Sequence, residues 1–148
     1  MISLVPATKQ PLDFQMPEVT KSSLFPAMNK LNNRVSIDIH PKKGRCVFAK
    51  KKFRKNETIA VDPVIVLTLK DTRKTALNNY TLWWKGRNKV ALGLGVTVLI
   101  NHSKDPNVLF KFDIKDKLIG VFAKRTIEKG EELSVDYKIP LWFDPVED

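Results

Sequence analysis

The sequence predicts a mainly β protein with one or two short helices. Three observations carry this. Short apolar stretches rich in β-branched residues recur along the chain, alternating with polar residues where one face is to be buried. Glycine, proline and asparagine punctuate them at turn spacing. Only one stretch repeats its apolar residues at helical spacing.

Residues 1–33 come first, a proline-containing extension with Pro6, Pro11, Pro17 and Pro26. Proline fixes φ and lacks an amide hydrogen, so this stretch is expected to be extended or turn-like. Arg34 to Ile39 alternates as a half-buried strand, Pro41 to Gly44 turns the chain, and Cys46 to Ala49 forms a second strand. Thr58 to Leu69 predicts strand, turn, strand, broken at Asp62-Pro63. Asp71 then suits a helix N-cap. Ala76, Leu77, Tyr80, Trp83 and Trp84 fall on one helical face, with Gly86 as the stop. Further strands are expected near Val108–Ile114, Leu118–Ala123 and Leu133–Tyr137.

A chain of 148 residues fits one domain. Its single cysteine, Cys46, excludes an internal disulfide and, with only His40 and His102, a structural zinc site. No metal is expected. The first residues lack a basic segment followed by an apolar one, so no signal peptide is expected. The longest apolar run, Val90 to Ile100, is too short to span a bilayer. An intracellular protein (cytoplasmic or nuclear) without a membrane partner is the resulting expectation.

Net charge is +10, and residues 34–57 hold nine basic side chains against two acidic ones. The basic patch at 42–55 could attract nucleic acid or an acidic protein face. It could equally be a solvated strand edge guarded by lysines. A plain nucleic-acid-binding β domain would interleave surface aromatics, and the run offers only Phe48 and Phe53.

The chain also repeats itself. Val47 to Ile59 matches Val121 to Leu133, each reading strand, Lys-Asn/Gly-Glu turn, strand. Asn56 and Gly130 stand at equivalent positions, and both residue types tolerate positive φ.

Four segments carry a family resemblance: Lys43-Gly44-Arg45-Cys46-Val47-Phe48-Ala49, Ala91-Leu92-Gly93-Leu94-Gly95, Asn101-His102-Ser103-Lys104-Asp105-Pro106-Asn107 and Gly130-Glu131-Glu132-Leu133-Ser134-Val135-Asp136-Tyr137. In this order they resemble the SET domain family of protein lysine methyltransferases, over roughly residues 34 to 143. The Ala-Leu-Gly-x-Gly lead-in is most similar to the small stand-alone SET proteins of viruses and bacteria. The resemblance implies a β-clip of several small sheets with a C-terminal pseudoknot. It divides the chain into the 1–33 extension, a SET domain at 34–137 and a closing segment at 138–148.

The same resemblance implies S-adenosyl-L-methionine as cofactor and the ε-amine of a protein lysine, on a histone or another protein, as substrate. It implies that Gly44, Arg45, Cys46, Asn101, His102, Tyr137 and Trp142 bind the cofactor and that Tyr137 is catalytic. It implies that Val135 and Tyr80 line the lysine channel, and that the protein forms a homodimer. Trp142 and Tyr80 could also serve as core packing. Cys46 stands where many members carry a second glycine. A valine at 135, where larger members often carry Phe or Tyr, leaves room for di- or trimethylation. The other reading is an inactive SET-like module that binds chromatin or an acidic partner through its basic patch. A hydrolase is disfavoured, because there is no G-x-S-x-G and Cys46 lies in a basic strand. Asp136 and Glu131 suit turn or structural bonds better than paired acid–base chemistry.

Overall fold

The computed structural model describes residues 33–137. Strands dominate, in three small sheets. The 1–33 extension and the 138–148 segment, with Trp142, lie outside the described residues except at their borders.

β1 (Val35–His40) and β2 (Gly44–Ala49) form an antiparallel hairpin across the Pro41–Gly44 turn. β3 (Thr58–Thr68) is one continuous strand, not two. What the Asp62-Pro63 step marks is a change of partner. Thr58 to Pro63 pairs with β8 (Leu118–Ala123), whereas Val64 to Thr68 pairs with β5 (Lys89–Gly93). Proline, with no N–H to give to a ladder, is tolerated at such a handover. With β4 (Thr81–Trp83) and β7 (Val108–Asp113) the sheet runs β4-β5-β3-β8-β7.

The expected helix over 71–84 does not form. Asp71 is not an N-cap. Thr68 holds that place, and the Asp71 carboxylate closes a capping box back onto it. One helical turn, Leu69–Thr72, and a separate 3₁₀ turn, Ala76–Tyr80, are followed directly by β4. Long-range pairing of Thr81, Leu82 and Trp83 with Leu92, Ala91 and Val90 overrides the local periodicity. The two tryptophans therefore part company, since successive strand residues face opposite sides. Trp84 is buried, edge-on to Phe112 at 5.7 Å, while Trp83 is 56% exposed. Gly86 lies in the β4–β5 turn at φ +112°, not at a helix end.

The core is shared by the two repeat copies. Val47, Ala49, Phe53 and Ile59 of the first pack with Val121, Ala123, Ile127 and Leu133 of the second, joined by Val35, Ile100, Val108 and Val135. A satellite cluster of Val64, Trp84, Ala91 and Ile119 seals the β4–β5 side.

The Ala-Leu-Gly-x-Gly segment governs how the chain enters its most constrained region. A Cβ on Gly95 would stand 2.1 Å from the carboxylate of the buried Asp62. Only glycine lets that carboxylate reach past to accept from the Thr97 amide at 2.8 Å. This fixes the 3₁₀ turn Val96–Leu99, from which the chain enters β6 (Asn101–His102).

Candidate active site

β6 lies parallel to β9 (Ser134–Val135), with Asn101 opposite Ser134 and His102 opposite Val135. Parallel partners this short need help, and Asn107 supplies it. Its carboxamide oxygen accepts from the Ser134 amide at 2.9 Å, and its NH₂ donates to the Glu132 carbonyl at 2.7 Å. The Ser103 amide donates to the Val135 carbonyl and the Asn107 amide to that of Ser134. The Asn-His-Ser segment is thereby laced to the Asp-Tyr segment, as the expected pseudoknot requires. Asn107 is 3% exposed, so both of its side-chain bonds are made away from water.

Tyr137 is tied to β6 at two points. Its amide donates to His102 Nδ1 at 3.1 Å, and its hydroxyl donates to the Ile100 carbonyl at 2.9 Å. Because His102 Nδ1 accepts, a neutral His102 ring carries its proton on Nε2. The two rings lie 5.3 Å apart, tilted by 50°. Burial pushes the Tyr137 phenol above its ordinary value of 10.0.

Asn101 faces β2. Its NH₂ lies 3.1 Å from the Arg45 carbonyl, 3.2 Å from Cys46 Sγ and 3.1 Å from Glu132 Oε1. Glu132 also pairs with Lys43 at 3.2 Å. Cys46 is fully buried, and its thiol is pushed up to about 11, first by burial and then by the Glu132 carboxylate. Gly44 turns the chain into β2 at φ +76°, with open space where a side chain would sit. Conformation, not crowding, calls for glycine there.

A cavity of about 580 Å³ opens beside Tyr137. Val135, Val108, Leu109, Phe110 and Phe112 give it an apolar wall, and Lys124 and Asp136 are its charged members. Pro106, with Leu82 and Trp83 of β4, completes it.

The structure brings together Gly44, Arg45, Cys46, Asn101, His102, Val135 and Tyr137. Tyr80 is the exception. It is 41% exposed and is not part of the cavity, nor is it packed in the core. Its expected position assumed a helix; the observed strand brings Trp83 to the cavity instead. Sequence reasoning does not single out Glu132, Asn107, Lys43 or the Ile100 carbonyl. Glu132 and Asn107 stand inside the family motifs, so motif membership is the available signal. Lys43 likewise opens the first of those motifs, whereas no feature of the sequence points to Ile100. Glu131 holds a turn, accepting from the Glu128 amide and pairing with Arg125.

Comparison with known proteins agrees with this geometry. The SET domain model matches residues 44–138. A Schizosaccharomyces pombe histone-lysine N-methyltransferase specific for H3 lysine-37 is 35% identical over 108 residues, spanning 70% of this chain and 72% of that protein. A Candida albicans histone-lysine N-methyltransferase specific for H3 lysine-36 is 48% identical over 42 residues, which is 27% of this chain and 5% of that protein. Among solved structures, a Plasmodium falciparum protein described as a candidate histone methyltransferase superposes with a TM-score of 0.58. It is 26% identical, over 74% of this chain and 97% of the other. With a β-clip of small sheets, a parallel knot between residues 101–107 and 134–137, and these matches, the chain belongs to the SET domain family.

Proposed function

We propose that this chain transfers methyl groups to the ε-amine of a histone lysine, with the lysine entering the cavity beside Tyr137. Membership of the family and its histone-lysine N-methyltransferase relatives make the chain a protein-lysine N-methyltransferase. The histone and the residue roles are the proposal. The observation that carries it is the Tyr137 hydroxyl, held on the Ile100 carbonyl at the wall of an apolar cavity.

The family uses S-adenosyl-L-methionine, and the residues present fit its chemistry. That molecule ends in an ammonium and a carboxylate. Lys43 and Glu132 meet beside Asn101 and offer one charge for each. The open space at Gly44 and the fully buried Cys46 leave the approach to the Arg45 backbone clear of side chains from either neighbour. On this reading Gly44, Arg45, Cys46, Asn101, His102 and Tyr137 bind it. When bound, it supplies a methyl group activated on a sulfonium.

The chain's own work is then to position and desolvate. On this reading the Tyr137 phenol oxygen, at the cavity wall and fixed by its bond to the Ile100 carbonyl, steadies the partial positive charge on the reacting methyl group. The apolar wall of Val108, Phe110 and Val135 disfavours an ammonium, so the incoming lysine sheds its proton to water before transfer. Trp83, at the rim, gives the lysine's alkyl stem an aromatic surface. Action on histones would put the protein inside the cell. Among the described residues no helix is long and apolar enough to cross a membrane.

The test is transfer of labelled methyl groups from S-adenosyl-L-methionine to core histones, with Tyr137→Phe as control. Transfer that falls about 100-fold or more in a folded Tyr137→Phe supports the reading. Unchanged transfer in that variant removes Tyr137 from the mechanism. A wild-type chain that binds the cofactor but labels other proteins and no histone removes the histone.

A further inference from the structure

The two repeat copies bring their turns together on one surface. Residues 50–57 and 124–131 run antiparallel, bridged at Phe53 and Ile127. Their cations are Lys50, Lys51, Lys52, Arg54, Lys55, Lys124, Arg125 and Lys129, against the carboxylates of Glu57, Glu128 and Glu131.

Each of those carboxylates is already held. Glu57 pairs with Lys51 at 2.8 Å and Arg34 at 2.9 Å, Glu128 with Lys52 at 2.6 Å, and Glu131 with Arg125 at 3.1 Å. The Lys52–Glu128 pair also ties one turn to the other. Among the described residues, no carboxylate pairs with Lys50, Arg54, Lys55, Lys124 or Lys129, and all five are exposed. The only apolar side chains in the two turns, Phe53 and Ile127, are fully buried.

This surface thus offers charge without an apolar anchor. Protein interfaces need a desolvated apolar centre and are depleted in lysine. A phosphate backbone needs only spaced cations, which displace its condensed counterions. We propose that the turns 50–57 and 124–131 together bind the phosphate backbone of duplex nucleic acid. Lys124 belongs both to this surface and to the wall of the cavity beside Tyr137. Its amide donates to the Asn107 carbonyl at 2.8 Å, so the surface and the knot are joined. A duplex bound here lies next to the place where a protein lysine would enter. The inference stands apart from methyl transfer, because binding is read without it.

The experiment is fluorescence anisotropy with a labelled 20-base-pair DNA duplex across a salt series. Two variants of the full chain are compared. One carries Lys50→Ala, Arg54→Ala, Lys55→Ala and Lys129→Ala. The other is a charge-matched control with Lys70→Ala, Lys74→Ala, Arg87→Ala and Lys115→Ala, all exposed residues outside the two turns. At about 50 mM salt the turn variant is expected to lose more than about tenfold in affinity. Its salt slope should become shallower by about three to four, as for four lost phosphate contacts. The control should lose under about threefold. No duplex binding by the wild type, or equal losses in both variants, overturns the proposal. So does polyglutamate that competes as well as unlabelled duplex at equal charge, which would assign the surface to an acidic protein.

Discussion

Phe53 and Ile127 hydrogen-bond each other in both directions, amide to carbonyl at 2.9 Å and 3.0 Å. They lie at the centre of an internal symmetry. Ala49 donates to the Glu131 carbonyl as Ala123 donates to that of Glu57. Gly130 donates to the Ala49 carbonyl as Asn56 donates to that of Ala123. Even the turn ion pairs correspond, Lys51–Glu57 with Arg125–Glu131. The repeated sequence is thus a repeated structure whose copies embrace about a local two-fold.

The symmetric centre should therefore be a stability hot spot. Ile127→Ala is expected to cost about 3 kcal/mol and Phe53→Ala about 4 kcal/mol, from lost burial and the cavities left behind. Because the two share their contacts, the double variant should depart from the sum. Urea denaturation of the four proteins checks this.

The methylation rate should rise from pH 7 to pH 9. The substrate lysine must be neutral, and its ordinary value is about 10.4. Tyr137 does not oppose the rise. Its raised value keeps the phenol protonated through this window, with its contribution to stability present below pH 10 and lost only above it. A rate that fell between pH 7 and 9 with the protein folded would contradict both points.

Cys46 should be inert in the folded state. Raised from 9.0 to about 11, its thiol is protonated at pH 8, and it is fully buried. Alkylation by iodoacetamide at pH 8 is expected to be at least about tenfold slower than in urea, where the thiol is exposed and its ordinary value returns. By linkage, the stability tied to the neutral thiol is complete below pH 9 and is lost as pH rises through 11.

Val135 should set the number of methyl groups added. It is buried in β9 and forms part of the cavity with Tyr137, and valine leaves room there. Mass spectrometry of the product should find di- or trimethyl-lysine. Val135→Phe should confine the product to monomethyl-lysine, and Val135→Ala should leave the higher products intact. Monomethyl-lysine alone from the wild type at long incubation would refute this.

The β architecture is legible in the sequence because its strands are short and turn residues bound them. β8 and the β1–β2 hairpin lie where alternation and Pro41–Gly44 indicate. The stretch from Asp71 to Trp84 misleads for a physical reason. Its apolar spacing suits a helix, but Thr81 to Trp83 gain ladder bonds to β5 that no local pattern discloses. Similarly, Asp62-Pro63 resembles a break, though what changes there is the neighbouring strand and not the direction of the chain. At the candidate site, motif residues can be named individually, whereas their mutual contacts cannot. Asn101 against Cys46, and Tyr137 against Ile100, are pairings between residues distant in sequence.

The knot between residues 101–107 and 134–137 also has a temporal side. Tyr137 leaves the ribosome after every other described residue, yet His102 and Ile100 wait for it. A nascent chain can fold the hairpin and the central sheet first, but it holds only one side of the knot until β9 has threaded into place beside β6. A chain cut short before Ser134 lacks the strand that pairs with Asn101, so the knot cannot form in it.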